Sequence, residues 1–272
     1  MSLVSTSWLE KNLDKVKILD STWHMPNTNR KAFKEYKKEH IKNSTFFDIE
    51  NFSNKETDLP HMLPSEERWS EIVSNLGISN QDRIIIYDNS DVISSCRCWY
   101  TFIFFGHKPN LVSILNGGLS KWNKEKRETT TIIPINSKKS YKAKKISNLV
   151  KSKNEIDENI LSKKFKVIDA RNKRRFLGLE KEPRNNLRSG AIQNSYCLPF
   201  AELINAEEKT FIDKNLIKQK FEKIGVKNEN NVVFTCGSGI TATVLGLAYS
   251  IINDKYLPII YDGSWAEYGR FK

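Results

Sequence analysis

The 272-residue sequence contains few cysteines, and none of them is spaced as a metal ligand or a redox pair would be. A chain of this length with four cysteines is not a disulfide-stabilised scaffold; they are Cys96, Cys98, Cys197 and Cys236. No C-x-x-C pair occurs, which argues against a structural zinc site and a thioredoxin-type redox pair. Cys96 and Cys98 lie in an aromatic run, so we expect them to pack in the core.

Long apolar runs are also lacking. No stretch approaches the ~18 apolar residues that a membrane-spanning helix needs. The first residues, MSLVSTSWLEKNLDK, contain no basic segment followed by an apolar one, so we expect no secretory signal. We predict a cytoplasmic protein that does not bind membranes.

Positive charge is abundant, but it is not concentrated in one segment. Lysine and arginine number 44 against 32 acidic residues, which gives a formal net charge of +12. The lysines are spread along the whole chain among Asn and Glu, with no known nucleic-acid motif. We therefore expect a solvated, lysine-rich surface and no nucleic-acid partner. A positive field would attract small anionic substrates.

The chain contains two copies of one pattern. Asp20 in VKILDSTW and Asp169 in FKVIDARN are 149 positions apart, and Asp88 in DRIIIYDNS and Cys236 in NNVVFTCGS are 148 apart. Two further pairs of segments follow in the same order, EHIKNSTFFDI with SGAIQNSYCLPF and ILNGGLSKW with IYDGSWAEY. This repetition predicts a tandem duplication, with domains at 1–139 and 140–272 joined by a polar, lysine-rich linker.

Each copy alternates short apolar strands with helical segments. The predicted strands are 16–19, 84–87, 166–169 and 232–235, and the predicted helices include 66–76 and 215–224. Strands that are apolar throughout are usually buried on both faces, as in parallel sheets. The sequence therefore predicts an α/β fold in which each domain has a central parallel sheet flanked by helices.

The segment CGSG at 236–239 follows one of these strands and precedes a helix that begins near Thr241. The carboxyl edge of a parallel sheet is where α/β proteins place ligands. Gly237 and Gly239 allow the backbone N–H groups to turn inward, and the helix start adds partial positive charge. We expect Cys236 to be a nucleophile that exists partly as thiolate. The first copy has Asp88 at this position, which predicts a single active site.

The duplication and the loop CGSGITA at 236–242 resemble the two-domain rhodanese-like sulfurtransferases, and most closely their 3-mercaptopyruvate-using members. Further matching segments are FFDIE at 46–50, HMLP at 61–64, LNGGLSKW at 115–122, DAR at 169–171, RRFLGLEKEPR at 174–184 and YDGSW at 261–265. The resemblance implies two tandem rhodanese-like domains, the second carrying the cysteine and the first contributing to the site.

The resemblance also implies the chemistry. Cys236 would take sulfur from 3-mercaptopyruvate, release pyruvate, and pass the persulfide sulfur to cyanide, a small thiol or a thioredoxin-like acceptor. No metal and no organic cofactor would be needed. Thiosulfate-preferring members usually carry basic residues in the loop where this chain has Gly237 and Ser238, so we expect mercaptopyruvate to be preferred. We also expect a monomer.

Roles for individual residues follow from the same resemblance. Arg175 and Arg184 match the arginines that would bind the donor's carboxylate and keto oxygen, although Arg174 precedes Arg175 where the family has glycine. A proton relay would consist of Ser238, His61 and Glu50, with Glu50 orienting His61. Main-chain N–H groups would stabilise the thiolate and the persulfide; they belong to Gly237, Gly239, Ile240 and Thr241.

Two other readings remain open: a thiosulfate:cyanide sulfurtransferase, and a non-catalytic persulfide carrier. The loop itself argues strongly against a cysteine phosphatase. Its C-x5-R motif needs an arginine six positions after the cysteine to grip phosphate, and this chain has Ala242 there.

Overall fold

The computed structural model describes residues 2–227 and 231–271. The chain divides into two compact units. Unit 1 consists of Met1–Lys55, Leu63–Ile146 and Ala206–Thr210, and unit 2 of Glu56–Met62, Ser147–Asn205 and Phe211–Lys272. Two short segments thus belong to the unit in which the linear repeat would not place them.

The main division falls after Ile146, whereas the sequence predicted a division after residue 139. The intervening segment packs within unit 1, where Tyr141 is buried. The N–H group of Tyr141 donates to Ser74 Oγ at 3.0 Å, and that of Ile146 donates to the Phe104 carbonyl at 2.8 Å. The segment is rich in lysine despite this buried tyrosine, and its polar composition is the reason why the sequence predicted a linker there.

Unit 1 contains a parallel sheet in the order β1-β6-β5-β2-β4, and a short antiparallel pair formed by β3 and β7. The strands are β1 Leu3–Val4, β2 Lys17–Asp20, β3 His40–Ile41, β4 Ser44–Phe46, β5 Ile84–Tyr87, β6 Val112–Leu115 and β7 Thr129–Thr130. The helices are α1 Thr6–Glu10, α2 Ala32–Lys38, α3 Ile49–Phe52, α4 Glu66–Asn75, α5 Ser95–Phe104 and α6 Gly118–Lys124. Short 3-10 helices cover Pro26–Thr28 and Pro109–Leu111.

Unit 2 repeats this topology with the strand order β8-β12-β11-β9-β10, again parallel. The strands are β8 Val150–Lys151, β9 Lys166–Asp169, β10 Tyr196–Cys197, β11 Val232–Thr235 and β12 Ile259–Tyr261. The helices are α7 Lys153–Ser162, α8 Lys173–Phe176, α9 Lys214–Lys223, α10 Ala242–Ile252 and α11 Ser264–Tyr268. Short 3-10 helices cover Ser147–Leu149 and Phe200–Leu203.

The predicted α/β architecture is therefore confirmed, with one parallel sheet in each unit. All four residues of β5 and of β11 are buried, which is why these strands are apolar without alternation. Three of the predicted strands agree with the structure residue for residue, and β2 is displaced by one. The helices α4 and α9 begin and end within one residue of prediction.

Aromatic side chains fill much of each core. In unit 1 the indole of Trp69 stacks on Phe105, with ring centroids 5.2 Å apart. In unit 2 Tyr249 packs against Phe221 at 4.9 Å. Cys96 and Cys98 are buried on α5, as predicted from the aromatic run. Among residues 2–227 and 231–271, no helix is both long and apolar enough to span a bilayer.

Candidate active site

Cys236 stands at the carboxyl edge of the unit 2 sheet. It follows β11 directly, and the helix α10 starts after the cap residue Thr241. The parallel register places Thr235 level with Asp169, the last residue of β9. The thiol-bearing residue is only 2% exposed. The predicted strand–loop–helix setting of the cysteine is therefore present.

The start of α11 holds the cysteine loop by its carbonyl groups. The N–H of Trp265 donates to the Cys236 carbonyl at 2.9 Å, and the N–H of Ala266 donates to the Gly237 carbonyl at 2.8 Å. In a planar trans peptide the C=O and N–H bonds point in opposite directions. The N–H groups of Gly237 and Ser238 therefore point away from α11, as an anion-binding loop requires.

Ser264 contacts the nucleophile's own backbone, and sequence reasoning gave it no role. Its Oγ accepts the Cys236 N–H at 3.3 Å and donates to the Tyr261 carbonyl at 2.8 Å. Ser264 is fully buried and has a φ of +49°, a region that non-glycine residues rarely adopt. The signal in the sequence is the segment YDGSW, which matches the family.

The structure brings His61 and Ser238 together. The segment Glu56–Met62 belongs to unit 2, and the His61 Nδ1 lies 3.1 Å from both Oγ and the carbonyl oxygen of Ser238. Both residues are buried. This contact fits two members of the predicted relay.

Glu50 lies on α3 in unit 1, where its Oε1 accepts a hydrogen bond from Trp23 Nε1 at 2.6 Å. That hydrogen bond fixes the carboxylate within unit 1. The role of Glu50 in orienting His61 stays a prediction.

Arg175 lies against the cysteine loop. It is on α8, which is capped by the Asn172 side chain. Its Nε and Nη2 donate to the two oxygens of Glu182 at 3.2 and 2.5 Å. A Cβ added to Gly237 would lie 3.2 Å from Nη2 and 4.0 Å from Nη1, so the glycine lets the guanidinium approach the loop.

Arg184 follows Glu182 by two residues, in the segment after α8, and it is half-buried. Its carbonyl accepts the Leu187 N–H at 3.3 Å, which marks a turn. The chain between Arg175 and Arg184 is thus non-helical after Phe176, where α8 ends. A joint role of the two arginines in donor binding stays a prediction.

Three buried charged residues behind Arg175 were not predicted as site residues: Asp169, Arg171 and Glu182. Arg171 binds Asp169 through Nε and Nη2 and Glu182 through Nη1, at distances of 2.7 to 3.1 Å. The segments DAR and EPR were quoted as family matches, but burial and pairing are visible only in the structure.

The equivalent loop of unit 1 is occupied by its own side chain. Asp88 Oδ1 accepts the Ser90 N–H at 2.8 Å, and Oδ2 accepts the Ser95 N–H at 2.9 Å. Burial raises the pKa of Asp88 above its usual value. The Asp88 carboxyl group thus accepts hydrogen bonds from N–H groups that would otherwise face a ligand. Asp88 also stands where unit 2 has its cysteine.

The other three cysteines are poor candidates for the nucleophile. Burial raises the pKa of the Cys96 and Cys98 thiols well above the usual value, and that of Cys197 to about 11. Thiols with raised pKa values are poor nucleophiles near neutral pH. In the part of the chain that the structure describes, no group of three His, Cys, Asp or Glu side chains could hold a metal ion.

Known proteins are similar to this chain over nearly its whole length. Residues 5–125 match the family described as the rhodanese-like domain. The chain is 35% identical over 280 residues to a thiosulfate sulfurtransferase of Rattus norvegicus, covering 99% of this chain and 92% of that protein. It is 33% identical over 289 residues to the mitochondrial thiosulfate/3-mercaptopyruvate sulfurtransferase 1 of Arabidopsis thaliana, covering 98% and 75%.

A solved structure is similar over the same extent. The crystal structure of SseA from Escherichia coli, described as a 3-mercaptopyruvate sulfotransferase, superposes with a TM-score of 0.87 at 28% identity. The superposition covers 97% of this chain and 99% of that one. Because 33–35% of the sequence agrees with such relatives and the fold agrees with a solved structure, in each case over 97% or more of this chain, the chain belongs to the rhodanese-like sulfurtransferases.

Proposed function

We propose that the protein transfers sulfur from 3-mercaptopyruvate, through a persulfide on Cys236, to a thiol or cyanide acceptor. The observation that carries this proposal is the juxtaposition of one guanidinium, that of Arg175, with an otherwise neutral cysteine loop at Gly237. A guanidinium beside the nucleophile can bind the single carboxylate of this donor. A loop that itself carried basic side chains would suit a dianion better.

The reaction balances without a further reactant. The Cys236 thiolate attacks the donor sulfur, and a sulfur–sulfur bond forms as the donor's carbon–sulfur bond breaks. The bonding electrons leave with the carbon as the enolate of pyruvate, which takes up one proton. A thiol or cyanide acceptor then attacks the outer sulfur and regenerates the thiolate.

The neighbouring groups have defined tasks in this scheme. Arg175 and Arg184 bind the donor's carboxylate and keto oxygen, which orients the sulfur toward Cys236. The Ser238–His61 pair moves the proton between the donor thiol and the enolate. The loop N–H groups of Gly237, Gly239, Ile240 and Thr241 stabilise negative charge on the reacting sulfur.

Thiosulfate is the second candidate donor, because relatives of this chain are named as thiosulfate sulfurtransferases as well as 3-mercaptopyruvate sulfurtransferases. The same cysteine would carry the sulfur, and only the donor would differ. A persulfide carrier without turnover is the third possibility. The small-molecule acceptor, the monomeric state and a cytoplasmic location are part of the proposal. The name of the Arabidopsis relative includes the word mitochondrial, so fractionation should precede any choice of physiological acceptor.

The deciding experiment is steady-state turnover with 3-mercaptopyruvate and with thiosulfate, side by side, combined with mass spectrometry of the intact protein. A persulfide adds about 32 Da, and it should map to Cys236 because the raised pKa values of the other three thiols make them poor nucleophiles. Cys236→Ser should abolish turnover, whereas Cys197→Ser, the matched control, should retain it. A preference for thiosulfate would refute the donor assignment, and persulfide without turnover would indicate a carrier.

A further inference from the structure

Glu182 is a buried carboxylate whose two oxygens are both taken by arginines. Its Oε1 accepts from Arg171 Nη1 at 2.7 Å and from Arg175 Nε at 3.2 Å, and its Oε2 accepts from Arg175 Nη2 at 2.5 Å. The Glu182 side chain is 1% exposed, whereas that of Arg175 is 14% exposed. Glu182 is therefore shielded from solvent. It acts on the cysteine loop through Arg175, the arginine beside that loop.

Arg171 anchors Glu182 to the sheet. Its guanidinium pairs with Asp169 at the end of β9 and donates to the Gly190 carbonyl at 2.7 Å. It also lies over the ring of Trp265, 4.3 Å from the centroid. Trp265 is the residue whose N–H holds the Cys236 carbonyl. Trp265 thus contacts both Arg171, which binds Glu182, and the cysteine loop.

These contacts restrict how Arg175 can meet an anion. A guanidinium has two edges that can bind a carboxylate with two hydrogen bonds, one formed by Nε and Nη2 and one by the two terminal nitrogens. Glu182 occupies the first edge. The terminal nitrogens lie beside Gly237, adjacent to Cys236. A donor carboxylate would therefore bind Arg175 end-on, with its sulfur toward the thiol.

Glu182 also sets the charge at this place. Two carboxylates and two guanidiniums are joined in one buried group, and their formal charges cancel: Asp169, Arg171, Glu182 and Arg175. Each charge acts twice as strongly on a dianion as on a monoanion at the same position. Without Glu182 the group would carry one net positive charge, which would favour a dianion such as thiosulfate over the monoanion of 3-mercaptopyruvate.

We propose that Glu182 is a positioning residue that sets donor preference: it holds Arg175 end-on to the cysteine loop and cancels its excess charge. This inference deepens the proposed function and rests on it. It assigns to a buried carboxylate, rather than to the loop alone, part of the discrimination between monoanionic and dianionic sulfur donors.

The test compares kcat/KM for the two donors in Glu182→Gln, with Glu180→Gln as the matched control. Glu180 is an exposed glutamate two residues away. In Glu182→Gln we expect kcat/KM for 3-mercaptopyruvate to fall about tenfold. The ratio of thiosulfate to 3-mercaptopyruvate kcat/KM should rise about fivefold or more. If Glu182 had a merely structural role, kcat/KM would fall equally for both donors. An unchanged ratio would therefore overturn the proposal.

A second variant keeps the test decisive if Glu182→Gln does not fold. Arg175→Gln removes the same contact from its other end and leaves Glu182 with excess negative charge. The donor ratio should then shift in the opposite direction, and an unchanged ratio would refute the role of charge. Where both variants fold, adding Glu182→Gln to Arg175→Gln should not lower kcat/KM for 3-mercaptopyruvate further, because Glu182 positions the donor only through Arg175 and its excess negative charge is removed. Additive losses would contradict this.

Binding separates this inference from the proposed function. Calorimetric titration of Cys236→Ser with pyruvate and with sulfate measures monoanion and dianion affinity without turnover. If the wild-type protein turns over neither donor, the proposed function fails. A rise in relative sulfate affinity on adding Glu182→Gln would still support the charge-setting role, and no rise would overturn it.

Discussion

The imidazole Nδ1 of His61 lies 3.1 Å from the hydroxyl oxygen of Ser238, although 177 positions separate the two residues. His61 adopts a φ of +61°, a left-handed conformation that is uncommon outside glycine. Backbone strain of this kind persists only where the surrounding structure enforces it, and it is common at functional sites. The surrounding structure therefore holds the pair in place. Ser238, one of its two members, lies two residues after Cys236 in the loop.

Removing either member of this pair should slow the chemical step. His61→Gln and Ser238→Ala are each expected to lower kcat with 3-mercaptopyruvate by about 100-fold, the usual contribution of a positioned acid–base group. The double variant should be little worse than the worse single one, because the two act as a unit. Pyruvate release measures the rates, and Ser250→Ala on α10 is the control. Losses that multiply in the double variant would show that the residues act separately.

Arg184 should contribute to donor affinity. Arg184→Ala removes one charge-assisted hydrogen bond to the donor, which is worth about 1.5–3 kcal/mol. We expect KM for 3-mercaptopyruvate to rise at least about tenfold, while the acceptor step is unaffected. The neighbouring exposed Arg174→Ala serves as the control for the general loss of positive charge. An unchanged KM in Arg184→Ala would remove this residue from the donor site.

Ser264 should matter for both stability and reactivity. Ser264→Ala leaves the buried Cys236 N–H without its acceptor, at a cost of about 1–3 kcal/mol in the free energy of unfolding. It should also slow persulfide formation, because the loop loses a contact at the nucleophile. Ser264→Gly tolerates the φ of +49° but lacks the hydroxyl. If the glycine variant reacted at the wild-type rate, backbone conformation rather than the hydroxyl would be responsible.

Asp20 makes the stability of unit 1 depend on pH. Burial raises the pKa of its carboxyl from 3.8 to about 6, although hydrogen bonds from Thr22 act in the opposite direction. Between about pH 4 and pH 6 the folded state holds this proton more tightly than the unfolded chain does. The contribution of Asp20 to the free energy of unfolding therefore falls as pH rises through that window, by at most roughly 3 kcal/mol.

Denaturant unfolding of wild-type protein and Asp20→Asn at several pH values measures this effect. The variant should gain stability relative to wild type as pH rises from 4 to 7. The exposed Asp254→Asn should follow the wild-type curve in parallel. A constant difference between wild type and Asp20→Asn across this range would contradict the assignment.

Much of this protein was determined by local sequence. The buried strand β5 is an uninterrupted apolar run and β11 is apolar up to its last residue, and the two copies are aligned at a nearly constant offset. The cysteine loop is local as well, because strand, glycines and helix start are adjacent in the chain. Burial on both faces of a parallel sheet leaves this mark in the sequence, so the fold and Cys236 could be predicted from it.

The tertiary structure alone decided the partners of these local features. Pairing of Glu182 with two arginines and support of Cys236 by Ser264 join residues that no period in the sequence relates. The family resemblance groups His61 with Ser238, but only the structure gives their contact. The same holds for the division after Ile146, because the lysine-rich segment before it buries Tyr141 and hydrogen-bonds to unit 1. Such contacts depend on how separate segments pack together. The amino-acid composition does not show which charged residues pair with each other.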